Sequence, residues 1–226
     1  MTGFERLDVV IPTLNAGATL ARTLESLPRG VEVTVSDGGS VDETLAIARS
    51  AGCQIVQGGP GRGRQLAAGA RAAVRPWRLF LHADTVVRSD GWDAMREHMA
   101  FAGGENVAAT LRLVIDDPAW QARIIERGVA LRVRWLGLPY GDQGLLIHRD
   151  LYLAVGGYRD LPLMEDVDIM RRLGRSRHVA LEGEALTSAV RWRRRGWLGQ
   201  TLLNLTCLSL YCLGVSAERI ARLYGR

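Results

Sequence analysis

The chain has 226 residues, 47% of them hydrophobic and 23% charged, values that fit one sizeable globular domain and exclude a disordered or fibrous chain. The formal net charge is +5, and all 29 basic side chains are arginines. Arginine forks grip phosphate bidentately, which favours phosphate-bearing partners such as a nucleotide or a lipid headgroup, although a GC-rich genome explains the arginine bias equally well. Three scattered cysteines exclude a disulfide framework or a zinc site and point to reduced thiols.

The N-terminal residues carry no apolar leader core, so a cytoplasmic location is expected. A first buried strand is expected over residues 7–11, closed by Pro12, followed by the loop Thr13-Leu14-Asn15-Ala16-Gly17 and a helix over 18–27. A second strand over 31–35 ends in Ser36-Asp37-Gly38-Gly39-Ser40-Val41-Asp42, where the glycines allow a tight turn and Asp42 can cap a helix over 43–50. A third strand is expected over 53–56. The glycine-rich Gly58-Gly59-Pro60-Gly61-Arg62-Gly63-Arg64-Gln65 then leads into an alanine-rich helix that runs to Val74. The fourth strand, over 77–81, runs into the polar tip His82-Ala83-Asp84. Strand and helix alternate through this half with short loops, the pattern of a parallel doubly wound sheet whose ligands sit beyond the carboxyl ends of the strands.

The second half is less regular. A helix is expected over 90–100, a half-exposed strand over 107–115 with Thr110 and Arg112 outward, and a helix over 118–135. A short strand over 144–148, a turn at Gly156-Gly157-Tyr158, a helix over 166–173 that begins in acid and a last strand over 179–181 complete it. From Arg191-Trp192-Arg193-Arg194-Arg195 the chain turns basic and aromatic. Residues 198–215 are then strongly apolar, interrupted by Gln200 and Asn204. This tail suits an interfacial membrane helix, a homodimer contact or a helix packed on the core, and its length is near the lower limit for a bilayer span. The expected division is a domain over 1–195 with C-terminal helices over 196–226.

Several residues carry chemistry. A hard divalent cation needs carboxylate oxygens and often bridges phosphates, which makes His82 and Asp84 metal and diphosphate candidates; the alternative is a turn-capping Asp84 and a core His82. Arg62 and Arg64, on a glycine loop at a helix start, form an anion site or remain solvent arginines. Asp142 and Gln143, in Tyr140-Gly141-Asp142-Gln143-Gly144, are sugar or acceptor contacts. Glu165 and Asp166 open the acidic helix.

The ordered set Ile11-Pro12-Thr13-Leu14-Asn15, Ser36-Asp37-Gly38-Gly39-Ser40-Val41-Asp42, His82-Ala83-Asp84 and Met164-Glu165-Asp166-Val167-Asp168 resembles family 2 glycosyltransferases with the GT-A fold, over roughly residues 7 to 195. The Gly-Arg-Gly-Arg-Gln segment and the Gly-Tyr before the acidic motif look like a small bacterial subgroup. Arg191-Trp192 and Arg194 match in part the basic-aromatic motif of processive relatives.

The resemblance implies an α/β fold, a mostly parallel sheet flanked by helices, and the composition of the tail adds an apolar helical appendage at the C-terminus. It implies a metal-dependent inverting transfer from a nucleotide-diphosphate sugar to an acceptor hydroxyl. Asp37 would bind the nucleotide base, Pro12 and Leu14 would line its pocket, and Glu165 would join the substrate contacts. Asp84 would ligate Mg²⁺ or Mn²⁺, although His82 replaces the family's first aspartate. Asp166 would be the catalytic base. The tail adds the expectation of a lipid-linked acceptor and a peripheral position at the inner face of a membrane; no nucleic-acid partner is expected. Two rivals are a nucleotidyltransferase, whose basic signature loop is missing after the first strand, and a non-catalytic membrane-associated nucleotide-sugar binder. The transferase reading requires Asp37, Asp84 and Asp166 to meet at one rim of the sheet.

Overall fold

The computed structural model describes residues 3–225. In chain order the elements are β1 (Leu7–Thr13), α1 (Gly17–Glu25), β2 (Glu32–Asp37), α2 (Thr44–Ser50), β3 (Gln54–Gln57), α3 (Arg62–Ala72), β4 (Trp77–Phe80), β5 (Thr85–Val87), α4 (Ser89–Ala100), β6 (Ala108–Asp116) and α5 (Trp120–Leu136). They continue with β7 (Leu145–His148), α6 (Arg149–Ala154), α7 (Glu165–Leu173), β8 (His178–Ser188), α8 (Val190–Arg195), α9 (Trp197–Cys212) and α10 (Ala217–Tyr224).

One mixed sheet runs in the order β3-β2-β1-β4-β7-β6-β8-β5. The β3-β2-β1-β4 half is parallel. β7 then runs antiparallel to β4 and β6, β6 and β8 are parallel, and β5 closes the edge antiparallel to β8. β1 and β4 are buried along their whole length, apolar except for Asp8 and Arg78, because both faces of the sheet are covered. Leu7, Val9 and Ile11 point into one core with Leu20, Trp92 and Met95. Val10 and Phe80 point into the other with Leu66, Ile147 and Ile169.

Two expectations change. The strand at 107–115 is buried along almost its whole length, Thr110 included, and only Arg112 and the terminal Asp116 are exposed. The cause is its interior position between β7 and β8 under α5. The last strand is not confined to 179–181 but extends over His178–Ser188. Its polar half was masked by Glu182 and Glu184; the latter is neutralised from outside the strand, by Arg88 at 2.8 Å and by Arg112. The apolar run forms one helix, α9, set off from α8 and α10 by Gly196 (φ 77°) and Gly214 (φ 87°), which take positive φ at its two ends. Among the described residues no helix is long and apolar enough to cross a membrane. The inner face of α9 and α10 instead joins Cys207, Leu208, Ile220 and Ala221 to Leu163, Met164 and Val167 in one apolar cluster.

His178, at the start of β8, lies 2.9 Å from the Thr110 hydroxyl. Burial lowers its pKa to about 4, so the fold holds it neutral. The unfolded chain therefore binds a proton that the native chain does not between about pH 6.5 and pH 4, and stability falls as pH drops through that window. His178→Gln should flatten the slope. Chemical-denaturation midpoints at pH 7 and pH 4.5 should differ less in the variant than in the native chain, and equal slopes would remove His178 from the account.

Candidate active site

The carboxyl ends of the parallel strands form one rim, and loops tie it together. Asn15, in the left-handed region (φ 51°) that asparagine tolerates, accepts from Val41 N–H at 3.0 Å, and its own N–H donates to the Ser40 hydroxyl at 2.8 Å. Asp42 accepts from Gly17 N–H at 2.9 Å and Thr44 N–H at 3.1 Å. Gln65, one turn into α3, donates to the carbonyls of Thr13 and Ser36 at 2.6 and 2.9 Å.

Asp37 closes β2 and is fully buried. Its carboxylate accepts from Thr13 Oγ1 (2.9 Å), Gly39 N–H (2.9 Å), Ser40 N–H (2.8 Å) and Ser40 Oγ (2.5 Å). Burial pushes its pKa up, but donors from Ser40, Thr13 and Gly39 outweigh that and hold it below the ordinary carboxylate value. Four donors use the acceptor capacity of a carboxylate. Asp37 as it stands organises the turn and presents no open oxygen to a base. Pro12 is buried inside β1, while Leu14 is half exposed on the rim.

Two strands along, at a spacing of roughly 5 Å each, lies the tip of β4. Its turn is pinned by Thr23 Oγ1 donating to the Ala83 carbonyl (3.0 Å) and Ser188 N–H donating to the Asp84 carbonyl (3.1 Å). The second bond sets the end of β8 beside the tip, so that Arg191, in the next helix, meets the Asp84 carboxylate at 3.1 Å. His82 Nε2 faces Arg62 Nη1 at 3.4 Å, and its ring lies against Gly141, where an added Cβ would sit 2.4 Å from Nε2.

Arg62 opens α3 and forms a buried ion pair with Glu165. The approach depends on Gly63, where a Cβ would stand 2.2 Å from the Arg159 carbonyl oxygen. Burial by itself would weaken the Arg62 charge, but Glu165 and Asp166 raise its pKa and keep it cationic. Glu165 is driven up by burial and by Asp166, while Arg62 pulls it down; the net direction is up. Met164 precedes the acids in the left-handed region (φ 66°), a strained backbone for a non-glycine residue, and its side chain is buried in the tail cluster. Asp166, 9% exposed, accepts from Gly141 N–H at 3.0 Å. Asp168 is structural: Arg172 and Arg159 pair with it at 2.6 and 3.2 Å.

Asp142 lies within reach of Arg191, Arg132, Asp166 and Asp84. Burial, the largest influence, and the two neighbouring acids outweigh the arginines and raise its pKa. Among the described residues its Oδ1 has no hydrogen-bond partner, and neither do the Tyr140 hydroxyl and the Trp192 indole nitrogen. Tyr140 is stacked under Arg132, whose guanidinium carbon stands 3.5 Å from the ring centre. A cavity of about 60 Å³ is lined by Arg62, His82, Asp142, Asp166 and Arg191 together with tail residues Trp192, Gln200, Asn204 and Tyr224. That is room for hydroxyl groups, not for a whole nucleotide sugar.

Asp84, Asp142, Asp166, Glu165 and Arg62 thus come together, and Asp37 stands on the same rim but outside the cluster. Arg64 departs from expectation: it pairs at 2.9 Å with Asp160 on the surface, with both side chains more than half exposed. Gln143 departs as well. It is buried, donates to the Leu111 carbonyl at 2.8 Å and accepts from Tyr140 N–H at 3.3 Å, so its amide is consumed by the fold. The sequence reading missed the tail's share of the cavity. Its signal was the pair Gln200 and Asn204, one turn apart in an apolar run; Gln200 donates to Asn204 at 2.8 Å and to the Tyr224 hydroxyl at 3.0 Å.

As to a metal, no group of three or more His, Cys, Asp or Glu side chains among the described residues could hold one by itself. The donor set suits a cation that shares its ligands with a substrate: Asp84 is a quarter exposed, and the unpartnered Asp142 oxygen lies in the same acidic cluster.

The family model described as Glycosyl transferase family 2 matches residues 8–159. Uncharacterized glycosyltransferases of Mycobacterium bovis and Mycobacterium tuberculosis are 35% identical over 81 residues, which cover 35% of this chain and 37% of theirs. Among solved structures, Staphylococcus aureus TarS 1–349 in complex with UDP-GlcNAc has a TM-score of 0.59 at 17% identity, covering 81% of this chain and 58% of that one. The mannosyltransferase PcManGT of Pyrobaculum calidifontis, in complex with GDP-Man and Mn²⁺, has a TM-score of 0.59 at 17% identity, covering 80% and 56%. Glucosyl-3-phosphoglycerate synthase of Mycobacterium tuberculosis, with Mn²⁺, UDP and glucosyl-3-phosphoglycerate, has a TM-score of 0.50 at 19% identity, covering 80% and 70%. At such identities the likeness establishes the fold.

Proposed function

Because the chain belongs to glycosyl transferase family 2 and has the GT-A fold, we propose that it is an inverting glycosyltransferase that uses a nucleotide-diphosphate sugar. The observation that carries this reading is the meeting of Asp166, Asp142, Arg62 and Arg191 around one cavity near the tip of β4, with Asp84 paired to Arg191 beside it. The unpartnered Tyr140 hydroxyl, Trp192 N–H and Asp142 oxygen suit a ligand rich in hydroxyls.

In the proposed reaction the acceptor oxygen attacks the anomeric carbon as the bond to the diphosphate breaks. The acceptor proton passes to Asp166, and the nucleoside diphosphate leaves with the electron pair. Arg62 and Arg191 exchange part of their pairing with Glu165 and Asp84 for the phosphate oxygens, whose charge grows as the bond breaks. The nucleotide lies over the rim formed by Leu14 and the Asp37 turn, with Asp37 holding the turn's shape. A bound Mg²⁺ or Mn²⁺, held by Asp84 with Asp142 in support, would neutralise the leaving diphosphate. The solved relatives whose complexes contain Mn²⁺ support a divalent ion.

A panel of nucleotide sugars, incubated with the chain and Mn²⁺, tests the function. Released nucleoside diphosphate supports transfer or its hydrolytic side reaction. Released pyrophosphate supports nucleotidyl transfer, and no release from any donor supports a binding protein. Chelation should lower release at least ~100-fold and added Mn²⁺ should restore it, and Asp84→Asn should raise the Mn²⁺ concentration needed for half-maximal release. Unchanged release in chelator would remove the metal from the proposal.

A further inference from the structure

Two neighbouring helices are apolar on both sides. α5 buries Ala122, Ile125 and Val129 against β6 and Trp192. On its opposite side Trp120 and Trp135 are each 68% exposed, with Ile124 and Leu131 between them also exposed. At 3.6 residues per turn these four fall within roughly 60° of one another. α9 repeats the arrangement. Cys207 and Leu208 face the core, while Leu198, 72% exposed, and the exposed Leu202 and Leu205 form an outer stripe, also within roughly 60°. The two helices touch. Exposed Arg127 and Arg134 run beside the α5 stripe, and exposed Arg194 and Arg195 precede α9, where Arg193 instead pairs with Asp117 at 2.6 Å.

We infer that this outer face of α5 and α9 docks on an anionic lipid bilayer. Aromatic side chains at both ends of an apolar stripe, edged by cations, match the boundary between headgroups and acyl chains. A second copy of the chain is the poorer occupant, because a two-fold contact through this face would bring its arginines against their own copies. The docking is a contact with the surface: among the described residues no helix is long and apolar enough to cross a membrane. The other side of α9 carries Gln200 and Asn204 on the cavity wall. The bilayer would then lie about one helix diameter, ~10 Å, from the cavity. Resting on the transfer reading, this assigns the acceptor to the amphiphiles, with its hydroxyl carried close above a membrane.

The test is sedimentation of the full chain with phosphatidylglycerol–phosphatidylcholine vesicles and with phosphatidylcholine vesicles alone. The chain should pellet with the anionic vesicles and release as salt rises. Trp120→Ser with Trp135→Ser should weaken binding at least tenfold, as should Leu198→Ser with Leu202→Ser. The variants should keep the native circular dichroism and any nucleotide-sugar hydrolysis, so the surface and the chemistry fail independently. Binding by the native chain that both double variants lose upholds the proposal. A native chain left in the supernatant overturns it, as do variants that bind like the native chain. A stable dimer that the variants split, without vesicle binding, overturns it in favour of a second copy.

Discussion

Asp166→Asn should lower turnover about a thousandfold while leaving donor binding nearly unchanged, within the range of a lost general base. The carboxylate is held on the cavity wall by Gly141 N–H at 3.0 Å and Val167 N–H at 2.8 Å. An asparagine oxygen can accept the Gly141 hydrogen bond, so the Tyr140–Gln143 turn keeps its anchor. What disappears is the ability to take the acceptor proton. Titration calorimetry with the nucleoside diphosphate separates the two effects: affinity should stay within a few-fold and the rate should not. Turnover within about threefold of native would take the base role from Asp166, and Asp142, with its free oxygen and raised pKa, would be the next residue to test.

Arg62→Leu should cost about 3–5 kcal/mol of stability, the loss expected when one partner of a buried ion pair is removed. Glu165 is fully buried and one of its oxygens already has no partner. Without the guanidinium, burial and the Asp166 charge are opposed only by a backbone hydrogen bond, and the folded pKa rises further above the unfolded value. A raised carboxylate pKa means that the native chain holds a proton the unfolded chain has lost. The deficit of the variant should therefore grow as pH rises from about 4 towards neutrality. Denaturant midpoints at pH 5 and pH 8 would measure this. Arg62→Leu with Glu165→Gln should recover most of the stability, because the second change removes the stranded charge. A loss under about 1 kcal/mol in the single variant would mean that water reaches Glu165. The pair matters for the site as well, since the same contact fixes the N-terminus of α3 against the acidic helix.

The parallel half of the sheet and its loops were legible because their causes are local. Mostly apolar runs of four to seven residues, such as β1 and β4 with a single charged residue each, read as strands covered on both faces. Glu182 and Glu184 made the longer part of β8 look like a loop, although Glu184 sits in the sheet because Arg88 and Arg112 reach it from other elements. β5 is three residues long and leaves no period to detect. At the site, Asp84, Asp166 and Arg62 were visible from motif and position. The saturation of Asp37 was not, since it depends on Thr13 donating from a neighbouring strand. Arg64 and Arg62 look alike in sequence, and only the packing of α3 turns one to Glu165 and the other to Asp160.

The amino-acid sequence determined the strand–helix alternation, the loops at the strand ends and the acids that those loops carry, because backbone preference and apolar periodicity act over a few residues. The tertiary structure alone decided which charges meet: Arg191 with Asp84 across 107 positions, Arg62 with Glu165 across 103, and Gln200 with Tyr224 at the cavity wall. One arginine among 29 carries no mark of its partner. Its place is fixed by the registry of strands and the packing of helices, which are long-range and appear only once the whole chain is folded.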